Sequence, residues 1–313
     1  ILESRREVAA DRIKWWELQW PRSKEIFEEP KLVVPQRSKS NTFAYNEDSW
    51  YASADVYYIT QPQLGVKLKY ILALLNSTLY YLWFYYKGKK KGNLLELYQK
   101  PLTEVPIKVI SLEQQQIFID LVEQIELKKE KLIEYQAITF AEIKNKVNLT
   151  TRSTLKEITD DSKAFEVDYH GQAKIVRDIK VALKEEKVEL YSAKSSTGYY
   201  KLFEFEVTSD ILRKYLKFYL ESLTQQQLEE INNNSNSALV DRVLEIEIPG
   251  YQEVSRVQTI VDYWEDIQES KSKIQEKIID LQEEIDQLVY QLYDFSAAEI
   301  EFLTKKKKEI KNY

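Results

Sequence analysis

No cysteine occurs in this chain, which excludes disulfides and thiolate metal sites. A single histidine, His170, rules out a histidine metal cluster and leaves one candidate for imidazole chemistry. Methionine is absent, and six glycines in 313 residues leave no glycine-rich cofactor loop. Long hydrophobic runs are missing too. The most apolar stretch, Tyr70 to Tyr86, contains Asn76, Ser77 and Thr78, so no membrane span is expected. No secretory signal is visible, and a cytoplasmic protein is the expectation. The chain begins at Ile1 without an initiator residue, from which a piece of a longer protein is expected.

What is present is 43% hydrophobic and 31% charged residues, enough for two cores with long surface helices. The net charge of −6 is unevenly spread. Residues 1–110 hold 17 Lys and Arg against 12 Asp and Glu, a net of +5, and the remainder has a net of −11. Phosphate attraction is local and screened within about 8–10 Å, so one basic face suffices to bind nucleic acid on an acidic protein.

The chain is organised around a stretch near its end. Ile260, Trp264, Ile267, Lys271, Ile274, Ile278, Leu281, Ile285, Leu288 and Leu292 recur in alternating steps of four and three, the spacing of a coiled-coil seam. The helix from Ile260 to Leu292 would be about 48 Å long. Phe118, Leu121, Ile125, Lys128, Leu132 and Tyr135 repeat the steps, and we expect the two helices to pack on each other.

In chain order, residues 1–29 read as a helix followed by a polar turn, with Trp15, Trp16, Leu18 and Trp20 crowded before Pro21 as a plug against the next sheet rather than a ligand site. Strands are expected at Lys31–Pro35 and Trp50–Thr60. The loops between them carry Arg37, Lys39, Asn41 and Tyr45, suited to phosphate and base-edge contacts, although a solvated loop explains them as well. Residues 64–86 read as one apolar helix. A loop with Lys87, Gly88, Lys89, Lys90, Lys91 and Gly92 follows, either a nucleic-acid backbone contact or a plain lysine loop. Ser111 and Gln114 form a capping box opening the first long helix. Residues 174–187 have helical spacing. Lys187–Tyr191 and Tyr199–Val207 read as strands around a hairpin tip whose Lys194, Ser195 and Ser196 suit phosphate oxygens or simply make a turn.

An internal repeat is suggested by five parts in one order. Leu68–Ser77, a polar loop, Leu94–Leu97, Val105-Pro106-Ile107 and a long helix match Arg213–Ser222, a polar loop, Leu239–Leu244, Ile248-Pro249 and a long helix.

Residues 15–107 resemble the TaqI-like C-terminal specificity domain fused to adenine-specific DNA methyltransferases of restriction-modification systems. The matching residues run Trp16-Glu-Leu-Gln-Trp-Pro-Arg22, Pro30–Pro35, Asn41–Tyr45, Trp50-Tyr51, Leu74–Ser77, the glycine/lysine loop and Val105–Ile107. The strand-rich unit followed by a long helix, used twice, is similar to type I specificity subunits. The resemblance implies an α+β fold of strand-rich target-recognition lobes with two coiled-coil-like spacer helices. It divides the chain into a basic aromatic recognition lobe (1–110), a spacer helix (111–136), a degenerate second lobe (137–250) and a second spacer helix with a tail (251–313).

It also implies a type IIG-like parent enzyme. A methyltransferase domain in the same chain or complex would hold S-adenosylmethionine and flip an adenine out of the duplex. This fragment would bind double-stranded DNA through Arg37, Lys39, Asn41, Tyr45, Lys87, Lys89, Lys90, Lys91, Lys194, Ser195 and Ser196. No cofactor is expected in the fragment, and no Asn/Asp-Pro-Pro-aromatic motif is present, so it is expected to be non-catalytic. Two other readings remain. One is a coiled-coil assembly module without DNA contact. The other is a metal-dependent nuclease using Asp160, Asp161, Glu166 and Asp168 near Lys174.

Overall fold

The structure, a computed structural model, describes residues 4–17, 22–53, 55–60, 65–171, 175–194, 198–233 and 237–311. They form two compact units. Unit 1 comprises residues 1–129 and 276–313, and unit 2 residues 130–275.

Unit 1 begins with two single-turn helices, α1 (Arg6–Ala9) and α2 (Glu25–Glu28). The helix expected to open this segment is, among the described residues, a single turn. Trp15 and Trp16 stand 47% and 60% exposed and plug nothing, the Arg5 guanidinium binding the carbonyls of Trp15 and Glu17, while Leu18 and Trp20 lie outside the described residues. Strand β1 (Lys31–Pro35) is central in an antiparallel sheet of order β3-β1-β4; β2 is Arg37–Ser38, β3 Ala44–Asn46 and β4 Val56–Ile59. Leu32 and Val34 face the core, and the fully buried Lys31 donates to the carbonyls of Glu29 and Asp48. The last strand starts at Val56, not Trp50. Tyr51 instead stacks on Phe27 at 4.8 Å, and the Trp50 N–H donates to the Phe27 carbonyl.

The expected single apolar helix is two, α3 (Leu68–Leu75) and α4 (Thr78–Lys87), broken at Asn76-Ser77. A helix break leaves carbonyls and N–H groups without intrahelical partners. Here each side is supplied from elsewhere. The Asn41 amide donates to the carbonyls of Leu75 and Ser77, at 2.6 and 2.9 Å. Asn76 exchanges two bonds with the backbone of Phe43. The buried Asp286 carboxylate accepts from the Thr78 N–H at 2.7 Å and from the Thr78 hydroxyl. An anion at a helix N-terminus also meets the positive end of its dipole.

Next come β5 (Lys89–Lys91), β6 (Leu94–Glu96), α5 (Gln99–Thr103) and α6 (Leu112–Ala137). Ser111 and Gln114 make the reciprocal bonds of a capping box. Unit 2 holds α7 (Phe140–Asn145), β7 (Arg152–Thr154), α8 (Leu155–Asp160), β8 (Phe165–Val167), β9 (Ile179–Lys184), β10 (Lys187–Ala193), β11 (Tyr199–Glu206), α9 (Asp210–Glu221), α10 (Gln225–Asn232), α11 (Leu239–Leu244) and β12 (Glu247–Pro249). The long α12 (Val254–Leu292) starts in unit 2 and ends in unit 1, where α13 (Ala297–Lys311) follows.

The main sheet of unit 2 has the antiparallel order β8-β11-β10-β9. Residues 179–184 are thus a strand, not helix. Ile179, Val181 and Leu183 alternate with Lys180, Ala182 and Lys184, and Glu185, at φ 49°, makes the turn to β10 without the glycine that usually marks it. The free edge of β9 is closed by α9: Val181 donates to Glu221 and accepts from Lys217, which pair with each other at 2.8 Å.

All seam positions read from the sequence are buried or half-buried. In unit 1, Phe118, Leu121, Val122 and Ile125 of α6 share one core with Leu281, Ile285 and Val289 of α12. In unit 2, Tyr135 packs against the core that holds Ile260 and Ile267.

The two units also use the same tie. In unit 1, Lys69 of α3 pairs with Glu123 and Glu126 of α6 at 3.0 Å, and the Tyr70 hydroxyl donates to the Lys108 carbonyl at 2.6 Å. In unit 2, Lys214 of α9 pairs with Glu265 of α12 at 2.9 Å, and Tyr215 donates to the Pro249 carbonyl at 2.7 Å. Gln115, Phe118, Val122 and Ile125 are inward on α6 at the spacing of Val257, Ile260, Trp264 and Ile267 on α12. One pairing in the expected repeat is corrected: Leu94–Glu96 is a strand whereas Leu239–Leu244 is a helix.

Two outcomes follow. Asp286→Ala strands the Thr78 N–H and costs about 1–3 kcal/mol, measured by urea unfolding followed with tryptophan fluorescence. Glu253 accepts from the N–H groups of Thr151 and Thr150, each at 2.7 Å, and pairs with Arg256. The Thr151 N–H foremost, then the Thr150 N–H and Arg256, push its carboxyl from the ordinary 4.5 down to about 2. A folded-state pKa below the unfolded one contributes stability above 4.5 that is lost as pH falls towards 2. Glu253→Gln therefore lowers Tm at neutral pH, and its deficit relative to the parent shrinks across that interval.

Candidate nucleic-acid interface

Basic candidates far apart in sequence meet on one small sheet. Strand β6 lies between β2 and β5, both antiparallel to it. The register pairs Arg37 with Glu96 and Glu96 with Lys89. Directly opposed residues of antiparallel strands project to the same face, so Arg37, Glu96 and Lys89 stand in one row. Lys91, two residues on, shares that face. The sheet's other face carries Leu95, which is buried. Lys90 pairs with Leu95, and its ammonium lies 3.6 Å from the Tyr85 ring centroid, a close cation–π contact.

The lysine loop expected from the sequence is thus a hairpin. Gly92 and Asn93 form its two-residue turn, and Gly92 takes φ 59°, a conformation that costs glycine nothing. Lys87, Lys89, Lys90, Lys91 and the tip residue Asn93 are exposed. The hairpin grows directly from the end of α4, so the break at Asn76 sets the direction in which these lysines are presented.

Arg37 is held rather than loose. Its guanidinium donates to the Tyr98 hydroxyl at 3.0 Å and to Glu96 at 3.3 Å, and these two partners, Tyr98 first, push its pKa up. Tyr98 in turn donates to Glu96 at 3.0 Å. Glu96 is thus the carboxylate that anchors Arg37 within the row. Neither Glu96 nor Tyr98 was singled out from the sequence, because the pairing that gives them this role joins strands about sixty residues apart. Lys39 follows β2 and is exposed.

Other candidates take different places. Asn41 is 7% exposed, and its amide is consumed by the two α3–α4 carbonyls, so it holds the helix break instead of facing solvent. Tyr45 is half-buried on β3, with its hydroxyl on Glu47 at 3.2 Å and the Lys69 ammonium 5.0 Å from its ring. Lys194 belongs to unit 2. Its N–H closes the β10–β11 tip on the Gly198 carbonyl, and its ammonium lies 5.2 Å from the Tyr200 ring. Ser195 and Ser196 lie outside the described residues.

The acidic residues do not converge. Asp160 and Asp161 end α8, Glu166 is on β8, and Asp168 pairs with Lys201 at 3.1 Å. Lys174 lies outside the described residues. Among the described residues, no group of three or more His, Cys, Asp or Glu side chains is placed to hold a metal ion, and no helix is long and apolar enough to cross a membrane.

The basic row, the hairpin and the α3–α4 break all fall in one stretch of chain. Residues 8–107 match the TaqI-like C-terminal specificity domain. Two curated proteins of Haemophilus influenzae are similar to the chain. The type II methyltransferase M.HincII is 33% identical over 106 residues, covering 31% of this chain and 21% of its own length. The type II methyltransferase M.HindII, from strain ATCC 51907 / DSM 11121 / KW20 / Rd, is 31% identical over 106 residues, covering 31% and 20%. The matched stretch thus spans about a fifth of the length of these relatives. Among solved structures, the S subunit of a type I restriction-modification system from M. genitalium aligns with a TM-score of 0.44 at 11% identity, covering 83% of each chain.

If the Asn41 amide serves the fold alone, Asn41→Ala lowers unfolding free energy by about 1–3 kcal/mol. Once binding is corrected for the folded fraction, the salt dependence of binding to duplex DNA stays at the parental slope.

Proposed function

We propose that this chain is a DNA target-recognition module of a restriction-modification enzyme. It presents duplex DNA to an adenine-N6 methyltransferase domain, of type IIG arrangement, carried outside the 313 residues. The observation that carries the reading is the β2-β6-β5 sheet, which gathers Arg37, Lys89 and Lys91 on one exposed face within the specificity-domain match.

The physical case is electrostatic and steric. Arg37 and Lys89 stand two strand spacings apart, about 10 Å, enough to contact different phosphates. A two-stranded ribbon fits the major groove, which is about 12 Å wide. Arg37, already oriented by Glu96 and Tyr98, pays little rotamer entropy on meeting a phosphate. Lysines on the hairpin set register on the backbone, and groups at its tip are left to read base edges. Lys39, Tyr45, Lys194, Ser195 and Ser196 remain candidates for further contacts on this reading.

The methyl donor, S-adenosylmethionine, belongs on this reading to the methyltransferase domain. This chain supplies no glycine-rich loop to cradle it, and its own part is to hold the duplex while the target base leaves the stack.

The test is a salt titration of duplex binding. Replacing Lys87, Lys89, Lys90 and Lys91 together by Gln is expected to weaken binding and to reduce the slope of log K against log salt by roughly 2–4, since each lost phosphate contact removes about 0.9. A slope identical to the parent would leave the chain as an assembly module with an idle hairpin.

A further inference from the structure

The C-terminal helix α13 contains the run Lys305-Lys306-Lys307-Lys308, outside the residues that match the specificity-domain family. Its position follows from its inward face. Leu303 and Ile310 pack against the unit 1 core, and between them Lys307 donates to the Thr78 hydroxyl at 2.5 Å and lies 3.8 Å from Asp286. Residues 303, 307 and 310 recur at helical spacing, so this face docks α13 on α4. The same α4 leads at its far end into the lysine hairpin, and ten residues make it about 15 Å long. The α13 lysines and the hairpin lysines are therefore carried by one short helix. The Tyr86 hydroxyl next to the hairpin adds to the field that raises the Lys306 pKa, after the larger effect of Glu309.

The four lysines are not equivalent. Lys307 is occupied by Thr78 and Asp286, and Lys306 pairs with Glu309 at 2.7 Å. Lys305 and Lys308 are three residues apart, hence on one face, and both are exposed. Among the described residues, neither forms an ion pair. Two acids share that face, Glu301 one turn before Lys305 and Glu309 one turn after it, and Glu309 is engaged by Lys306 at 2.7 Å. With Glu309 paired to Lys306, the face keeps two ammonium groups against the one carboxylate of Glu301, a local excess of positive charge.

We propose that Lys305 and Lys308 of α13 contact phosphates of the same duplex that the hairpin holds, so that the DNA footprint extends beyond the specificity-domain match to the C-terminal helix. The proposal rests on the reading of the hairpin as a duplex-binding element. Phosphate contacts at these positions carry no sequence information and contribute affinity and register alone.

The experiment uses the 313-residue chain and a fluorescent duplex of random sequence, with binding followed by anisotropy across a salt series. Lys305→Gln and Lys308→Gln together retain helix propensity and the buried contacts, so the urea midpoint stays at the parental value. The expected result is weaker binding with the salt slope reduced by roughly 1–2. An unchanged slope in this variant, with a reduced slope when the hairpin lysines are replaced, overturns the α13 contact and leaves the hairpin reading standing. An unchanged slope in both variants overturns the two together. A reduced slope in the α13 variant alone would move the DNA contact from the hairpin to the C-terminal helix.

Discussion

The break between α3 and α4 is the constraint on which unit 1 depends. Ending one helix and starting another inside a core exposes backbone groups that must find partners where water is scarce. This chain meets the demand with side chains distant in sequence. Asn41 takes the carbonyls of Leu75 and Ser77, Asn76 exchanges bonds with Phe43, and Asp286 takes the Thr78 N–H from 208 residues away. The turn permits α4 to leave α3 in a new direction and end in the exposed β5–β6 hairpin. The same Asp286, through Lys307, helps seat α13. Geometry at the exposed basic face is therefore set by polar bonds in the interior.

Periodic features were the legible ones. The alternating steps in α6 and α12 marked inward positions, and every one is buried or half-buried. Ser111 and Gln114 announced a helix start that the capping bonds reproduce. The β10–β11 hairpin was visible from its two strand-like runs. Each of these depends on residues close in sequence. What could not be read depends on remote partners or on an unmarked turn. Asn41 looked like a groove contact because its composition suits one, yet its amide is spent on helix carbonyls. Residues 179–184 looked helical because Glu185, rather than glycine or asparagine, occupies the positive-φ turn position.

The tie repeated in the two units bears on how such a chain is built. A lysine and the adjacent tyrosine on one helix project on different bearings, so one residue pair can fix two separate segments. The lysine bridges to the long helix, and the tyrosine hydroxyl caps a carbonyl near the proline that precedes it. Burial pushes both tyrosines well above the usual phenol range, Tyr70 against Phe118 and Tyr215 beside Tyr219, which keeps each hydroxyl a donor at neutral pH. Chance amphipathic similarity would give matching apolar spacing but has no reason to reproduce this paired polar tie. Duplication followed by divergence of the strand-rich parts accounts for both.

Glu96 shows why the basic face is more than a sum of lysines. A carboxylate between Arg37 and Lys89 reduces the positive potential, and on electrostatics alone it opposes phosphate binding. It also offsets the repulsion between two cations held on the strands either side of β6, and with Tyr98 it orients the Arg37 fork. An arginine so oriented gains specificity of geometry at the expense of raw attraction. Sequence recognition, as opposed to adhesion to DNA, requires that trade, because register has to be fixed before a base edge can be read. A face of freely moving lysines would bind any polyanion, whereas an arginine held by a carboxylate and a phenol presents one fixed geometry.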